Sequence, residues 1–190
     1  MGLDISSPID IDYYPEYDLL KKENRDKIWL QVEKDDPFLV TMAPVCGPWS
    51  MWQNYNVTRS AEIEAKIYQQ RKEWYPVVCW MMDLARSRIE KGREVLMENP
   101  WGSKMWQLKC VDKFLATNPY NVYTGEPVEI KRIDQCMYGL VDQVTGDPHQ
   151  KATGLLLSSK AMKLRLGERC AELCKAIIGG ALDEMKQHDF

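Results

Sequence analysis

The chain has 190 residues, with 25 Lys and Arg against 28 Asp and Glu, and the formal charge of −3 excludes a strongly basic polyanion-binding protein. At 45% hydrophobic and 28% charged it can bury the core of one domain spanning 1–190, and no apolar run approaches the roughly 20 residues that cross a bilayer. The start, MGLDISSPIDIDYY, has no basic stretch leading into an apolar one, so an intracellular setting, cytoplasm or nucleus, is expected and a membrane is not.

In chain order, residues 2–20, GLDIS and then SPIDIDYYPEYDLL, mix short apolar alternation with turn residues and two prolines and predict one short strand and a loop. From Lys22 to Glu33, Ile28, Trp29 and Val32 recur at helical spacing, and Asp35-Asp36-Pro37 stops the run. PFLVTMAP (37–44) is a short apolar run bounded by prolines, the pattern of a central strand, and it opens into VCGPWS. Ser60 can cap a helix carrying Ile63, Ile67 and Trp74 on one face, and Pro76 starts or kinks a second helical stretch that ends near Lys91 and Gly92. REVLMENP (93–100) is the next strand, and MWQLKCVDKFLA (105–116) reads as part of a helix from Ser103. EIKRIDQCMYG and ATGLLLSS read as strands, and 160–190 as a C-terminal helical segment with a break near Gly179-Gly180. The expected fold class is α/β: an open, mostly parallel sheet of roughly five strands, Rossmann-like, with helices on both faces. Two strands separated by about thirty helical residues make a βαβ crossover, which places the loops after both strands at one sheet edge.

Six cysteines, at 46, 79, 110, 136, 170 and 174, are widely spaced in a chain large enough to need no staples, so reduced thiols are expected. Only His149 and His188 could join Cys170 and Cys174, and no metal site is expected. Cys46 sits in a Pro-x-Cys-Gly-Pro turn directly after a strand, where parallel sheets hold ligands and a thiolate could act as nucleophile. Glu98-Asn99-Pro100 closes the strand one crossover away, so an acid and a thiol are expected to face each other. An acid that closes an apolar strand is partly desolvated, which favours the protonated form that can donate.

PVCGPWS, ENPWGSKMW, DQCMYG and KATGLLLSS, in that order, resemble the catalytic half of the DNA cytosine carbon-5 methyltransferase family, in the divergent form found in phages and retroelement polyproteins. The resemblance covers about residues 37 to 159. It matches the nucleophile motif with Cys46 and Ser50, the Glu-Asn motif with Glu98 and Asn99, and a Tyr-Gly before Lys-x-Thr with Tyr138, Gly139, Lys151 and Thr153. It implies a transferase in which Cys46 attacks carbon 6 of cytosine, Glu98 assists at the ring nitrogen and Asn99 organises its loop. It further implies DNA as partner, Ser50, Trp49, Tyr138, Lys151 and Thr153 on the substrate side, and S-adenosylmethionine as cofactor beside Pro44, with Asp10 or Asp12 on the ribose hydroxyls. Trp49, Trp52, Trp101 and Trp106 are candidate stacking surfaces for a flipped base.

The family's Gly-rich cofactor turn and its Gln-x-Arg-x-Arg stretch have no copy here. The expectation is therefore a domain incomplete alone, finished by a further segment or a partner chain, and able to dimerise through an exposed sheet edge. Two alternatives stay open: an inactive binding or assembly module of the same fold, and an unrelated α/β enzyme using Cys46 with His149 as base.

Overall fold

A computed structural model describes residues 5–146 and 151–166. Helix α1 (Lys22–Asp35) leads into strand β1 (Leu39–Met42), and the short α2 (Trp52–Asn56) precedes the long α3 (Ala61–Glu90). Strand β2 (Glu94–Pro100), helix α4 (Lys109–Ala116) and strands β3 (Glu129–Asp134) and β4 (Ala152–Leu157) follow. Residues 160–166 are helical, and the rest of the expected terminal segment, with Cys170, Cys174 and Gly179-Gly180, lies outside the described residues, as does His149.

Local chemistry sets the helix limits. Asp36 adopts the left-handed conformation at φ 44°, donates its N–H to Val32 O, and is followed by a proline that cannot extend α1. Ser60 caps α3 by accepting the Ile63 N–H at 3.2 Å. Helix α3 then runs unbroken through Pro76, where the sequence predicts two stretches. An interior proline costs about 3 kcal/mol. Beyond it Val77, Val78, Met81, Met82, Leu84 and Ile89 are all buried, at about 1.5–3 kcal/mol each, and that burial wins.

Among the described residues the sheet has four strands, where roughly five are expected, in the order β1-β2-β4-β3, so β1, expected as a central strand, stands at the sheet's edge with β2 as its one neighbour. Strand β1 pairs parallel to β2, Leu39 opposite Glu94 through Met42 opposite Met97, as the crossover requires. Strand β4 is antiparallel to both β2 and β3. Strands β1, β2 and β3 therefore run one way and β4 returns between the last two. The sheet is α/β and open but mixed, with one parallel pairing of three, where a mostly parallel sheet is the sequence expectation. Alternation and β-propensity locate strands without giving their direction. Among the described residues between β3 and β4 there is a 3-10 turn (Gln135–Tyr138) and no crossover helix, and β4 pairs antiparallel to β3. The strand expected within residues 2–20 is absent among residues 5–20.

One sheet face carries Met42, Val95, Met97 and Leu156 into a core with Ile28 and Val32 of α1, the buried face of α3, and Val111 and Phe114 of α4. The other carries Ile133, Leu155 and Leu157, with Leu96, against Met162 and Leu166. Among the described residues no helix is long and apolar enough to cross a membrane.

Candidate functional site

Strand direction decides what meets at the sheet edge. The residues that follow β1, β2 and β3, and those that precede β4, all lie at one edge. That edge gathers the Cys46 turn, Glu98 to Trp101, the turn holding Tyr138, and Lys151 to Thr153.

The segments are joined by specific contacts. Asn99, 0% exposed, donates its Nδ2 to Pro44 O at 2.8 Å and so ties the end of β2 to the residue two before Cys46. Met51 lies against Gly102, where an added Cβ would stand 2.4 Å from the Met51 sulfur. Trp101 N–H donates to Ala152 O at 3.0 Å, and Gln135 N–H to Lys151 O at 3.0 Å. Gln135 Nε2 also donates to the Oγ1 of buried Thr153, which is paired with Pro100 across the ladder. Tyr138 is exposed, donates its hydroxyl to Leu166 O at 2.9 Å, and precedes Gly139 at φ 85°.

Cys46 is exposed and heads a 3-10 turn, Gly47–Trp49, its carbonyl accepting the Trp49 N–H. Ser50 Oγ accepts the Trp52 N–H at 3.3 Å and steadies the entry to α2. Glu98 is half-buried, paired with Leu155, and shares its sheet face with Leu96 and Pro100, while Asn99 points to the face of α1, α3 and α4.

The four candidate tryptophans divide. Trp49 is 4% exposed, so the open stacking face expected of it is closed by packing. Trp106 is half-buried, donates its Nε1 to Pro100 O at 3.0 Å and covers Gly154, where an added Cβ would stand 2.8 Å from that nitrogen. Trp52 is 78% and Trp101 42% exposed.

Two residues that the sequence reading passes over hold the Cys46 turn. Arg71 of α3 donates its Nε to Pro48 O at 2.9 Å, with its guanidinium carbon 5.9 Å from the Trp49 ring centre. Gln53 donates its Nε2 to Gly47 O at 3.0 Å. The partners lie 23 and 6 residues apart with no motif between them, so no sequence signal marks either.

The proposed cofactor residues are placed differently. Asp10 accepts the Asp12 N–H on its own carboxylate, and its carbonyl closes the same exposed turn through Tyr13 and Tyr14. Among the described residues no hydrogen bond or ion pair links Asp10 or Asp12 to the Cys46 edge, and Pro44 meets that edge through its carbonyl bond with Asn99.

A groove of about 350 Å³ between α3 and α4 and another of about 220 Å³ beside residues 117–122 lie away from Cys46. In the first, burial and then the neighbouring Cys79 thiol push the Cys110 thiol up to about 12. Tyr75 is pushed up to about 12, first by its bond with Cys79 and then by burial. The four described cysteines are free, and among the described residues no three acidic, histidine or cysteine side chains gather to hold a metal ion. No family model matches the chain, and comparison with curated proteins and with solved structures gives no match.

Proposed function

We propose that the chain is a cytosine carbon-5 methyltransferase-like domain that performs the nucleobase half of the reaction, with DNA as substrate. The observation that carries this reading is the convergence of all four motif segments on one sheet edge, with Asn99 binding the Cys46 loop to the strand that bears Glu98.

The chemistry follows from the two side chains. Carbon 5 of cytosine is a weak nucleophile until carbon 6 is attacked. The Cys46 thiolate forms a bond to carbon 6, the carbon 5–carbon 6 electron pair shifts between carbons 4 and 5 to make the enamine, and the carbon 4–nitrogen 3 pair moves onto the ring nitrogen. Glu98 gives its proton to the ring nitrogen and so neutralises the charge that develops there. Expulsion of the thiolate returns that proton to Glu98 and restores the ring. While the enamine lasts, carbon 5 takes a proton from water and the hydroxide so formed removes the original one, so that the base regains its structure with the carbon-5 hydrogen exchanged.

The described residues do not fit S-adenosylmethionine. The candidate ribose acids sit on an exposed turn, Asp10 already occupied with Asp12 N–H, and no strand among residues 5–38 opens into a Gly-rich turn. No transfer step is therefore assigned to the described residues, which leave the donor to residues outside them or to a partner.

Carbon-5 hydrogen exchange of a cytosine oligonucleotide in deuterium oxide tests the proposal without any methyl donor. Wild-type protein should catalyse exchange, Cys46→Ser should abolish it, and Glu98→Gln should slow it by about 100-fold or more. A folded wild-type chain without exchange, or one matched by Cys46→Ser, overturns the reading.

A further inference from the structure

Resting on that reading, we propose that the substrate presented to the Cys46 edge is single-stranded DNA, held by an aromatic and cationic surface built from Trp52, Tyr55 and Trp101 with Arg59, Lys104 and Lys151. Trp52 and Trp101 each adjoin one contact, since Met51 and Gly102 touch. Trp52 opens α2 after the Cys46 turn, and Trp101 directly follows β2, the strand that bears Glu98. Tyr55, 64% exposed, stands three residues after Trp52 on α2, so the two rings share a helix face. Exposed rings also stand elsewhere, among them Tyr13, Tyr68 and Tyr123, so what sets these three apart is their placement beside the Cys46 turn and the end of β2.

The charges around these rings suit a phosphate backbone. Arg59 lies over the Tyr55 ring, its guanidinium carbon 5.9 Å from the ring centre. Lys104 is three residues from Trp101 on a 3-10 turn, and exposed Lys151 precedes the carbonyl that accepts the Trp101 N–H. None of the three forms an ion pair with a carboxylate among the described residues; the ion pairs lie elsewhere in the molecule. Stacking rings bordered by uncommitted cations is how single strands are held, because any unpaired base offers a π-face. Three cations and a chain charge of −3 make a poor duplex binder, since duplex affinity is dominated by phosphate neutralisation. A single strand also presents its base without the cost of extrusion from a stack.

Anisotropy of a labelled oligodeoxynucleotide of about twelve nucleotides, within the span of known single-strand sites, tests this with the intact chain. The single strand should bind more tightly than the same sequence as duplex or as RNA. Its binding constant should fall with salt at a logarithmic slope of about −2, the value for three phosphate contacts. Trp52→Ala or Trp101→Ala should each weaken binding about tenfold or more, while Trp52→Phe and Trp101→Phe, which keep a ring, recover most of the loss. Tyr123→Ala, an exposed aromatic packed on Gly92 at the other strand end, should leave binding unchanged. Equal or tighter duplex binding, tighter RNA binding, or alanine variants that bind as well as wild type overturn the proposal. Ring-dependent single-strand binding without carbon-5 exchange removes the catalytic reading and leaves the binding surface standing, whereas exchange on a strand that needs neither tryptophan does the reverse.

Discussion

The two ends of the parallel β1/β2 pair are built on opposite plans. At the amino ends, Asp36 is gripped by Arg88, 0% exposed, at 2.6 Å and by Arg93, while Lys91 pairs with Glu33 and Phe38 O accepts the Glu94 N–H. Glu94 itself is buried and takes hydrogen bonds from Ser158 and Asn121. At the carboxyl ends the ties are fewer: Asn99 to Pro44, Arg71 to Pro48 and Gln53 to Gly47. There Asn99 Oδ1, Trp49 Nε1 and Arg71 Nη2 are buried without a hydrogen-bond partner. Arg88 also leaves two nitrogens unpaired, but its charge is met by Asp36. The same two strands thus carry a charged clamp at one end and an under-satisfied, aromatic-rimmed surface at the other. Three unpaired buried groups that no opposite charge meets thus gather beside the turn proposed as functional, where departures from local rules are expected.

The clamp end gives the largest expected loss of stability. Arg88→Ala removes a fully buried side chain and the α3 half of the clamp, and should cost about 3 kcal/mol in urea unfolding. The same end controls acid sensitivity. Arg93, and then Arg88, hold the Asp36 carboxyl well below its ordinary value, and Lys91 lowers Glu33. Protonation is therefore easier in the unfolded chain. The stabilisation is whole above the ordinary aspartate value of about 3.9 and drains away as pH falls below it. Asp36→Asn should flatten unfolding free energy against pH in that window, and an unchanged slope would remove the clamp from the account.

At the open end the next loss comes from Asn99→Ala, which frees Pro44 O in a buried setting and should cost about 1–3 kcal/mol. Because the lost bond anchors the Cys46 loop, carbon-5 exchange should fall by more than the population of unfolded chain explains. Gly154→Ala tests the floor beneath this end. Its new Cβ would meet Trp106 Nε1 at 2.8 Å, forcing a shift that should cost about 1–2 kcal/mol. Trp106→Phe in the same chain, which removes that nitrogen, should return part of the loss, and strict additivity of the two changes would deny the contact.

The comparison also shows what a sequence can carry. The parallel pairing of β1 and β2 was legible because apolar runs bounded by prolines mark strands and a thirty-residue helical spacer permits only a crossover. Whether β4 would run with or against its neighbours was not, since Thr153 to Leu157 read identically in either direction. The unbroken α3 was hidden because Pro76 is a local signal and the burial of Val77 to Ile89 a tertiary one. The fate of the tryptophans depends on a single 3-10 turn, which sends Trp49 inward and leaves Trp52 in solvent. Arg71 was unreadable for the same reason, being a helix residue that becomes part of the edge only when α3 lies beside the Cys46 turn.

The smallest stability effect is expected at the residue with the largest functional one. Cys46 is exposed on a turn whose bonds run through backbone carbonyls and neighbouring side chains, so Cys46→Ser should shift unfolding by no more than about 0.5 kcal/mol. Its reactivity should separate it from the other described thiols. Cys79, Cys110 and Cys136 are half-buried, and at Cys110 burial and Cys79 push the thiol up to about 12, leaving almost no thiolate at neutral pH. Alkylation with iodoacetamide, followed by peptide mass spectrometry, should therefore label Cys46 first and Cys110 last. Bound single-stranded DNA should protect Cys46 and leave Cys79 and Cys136 unchanged. Protection that disappears in Trp52→Ala would join the thiol and the aromatic rim as one surface; protection indifferent to Trp52 would divide them.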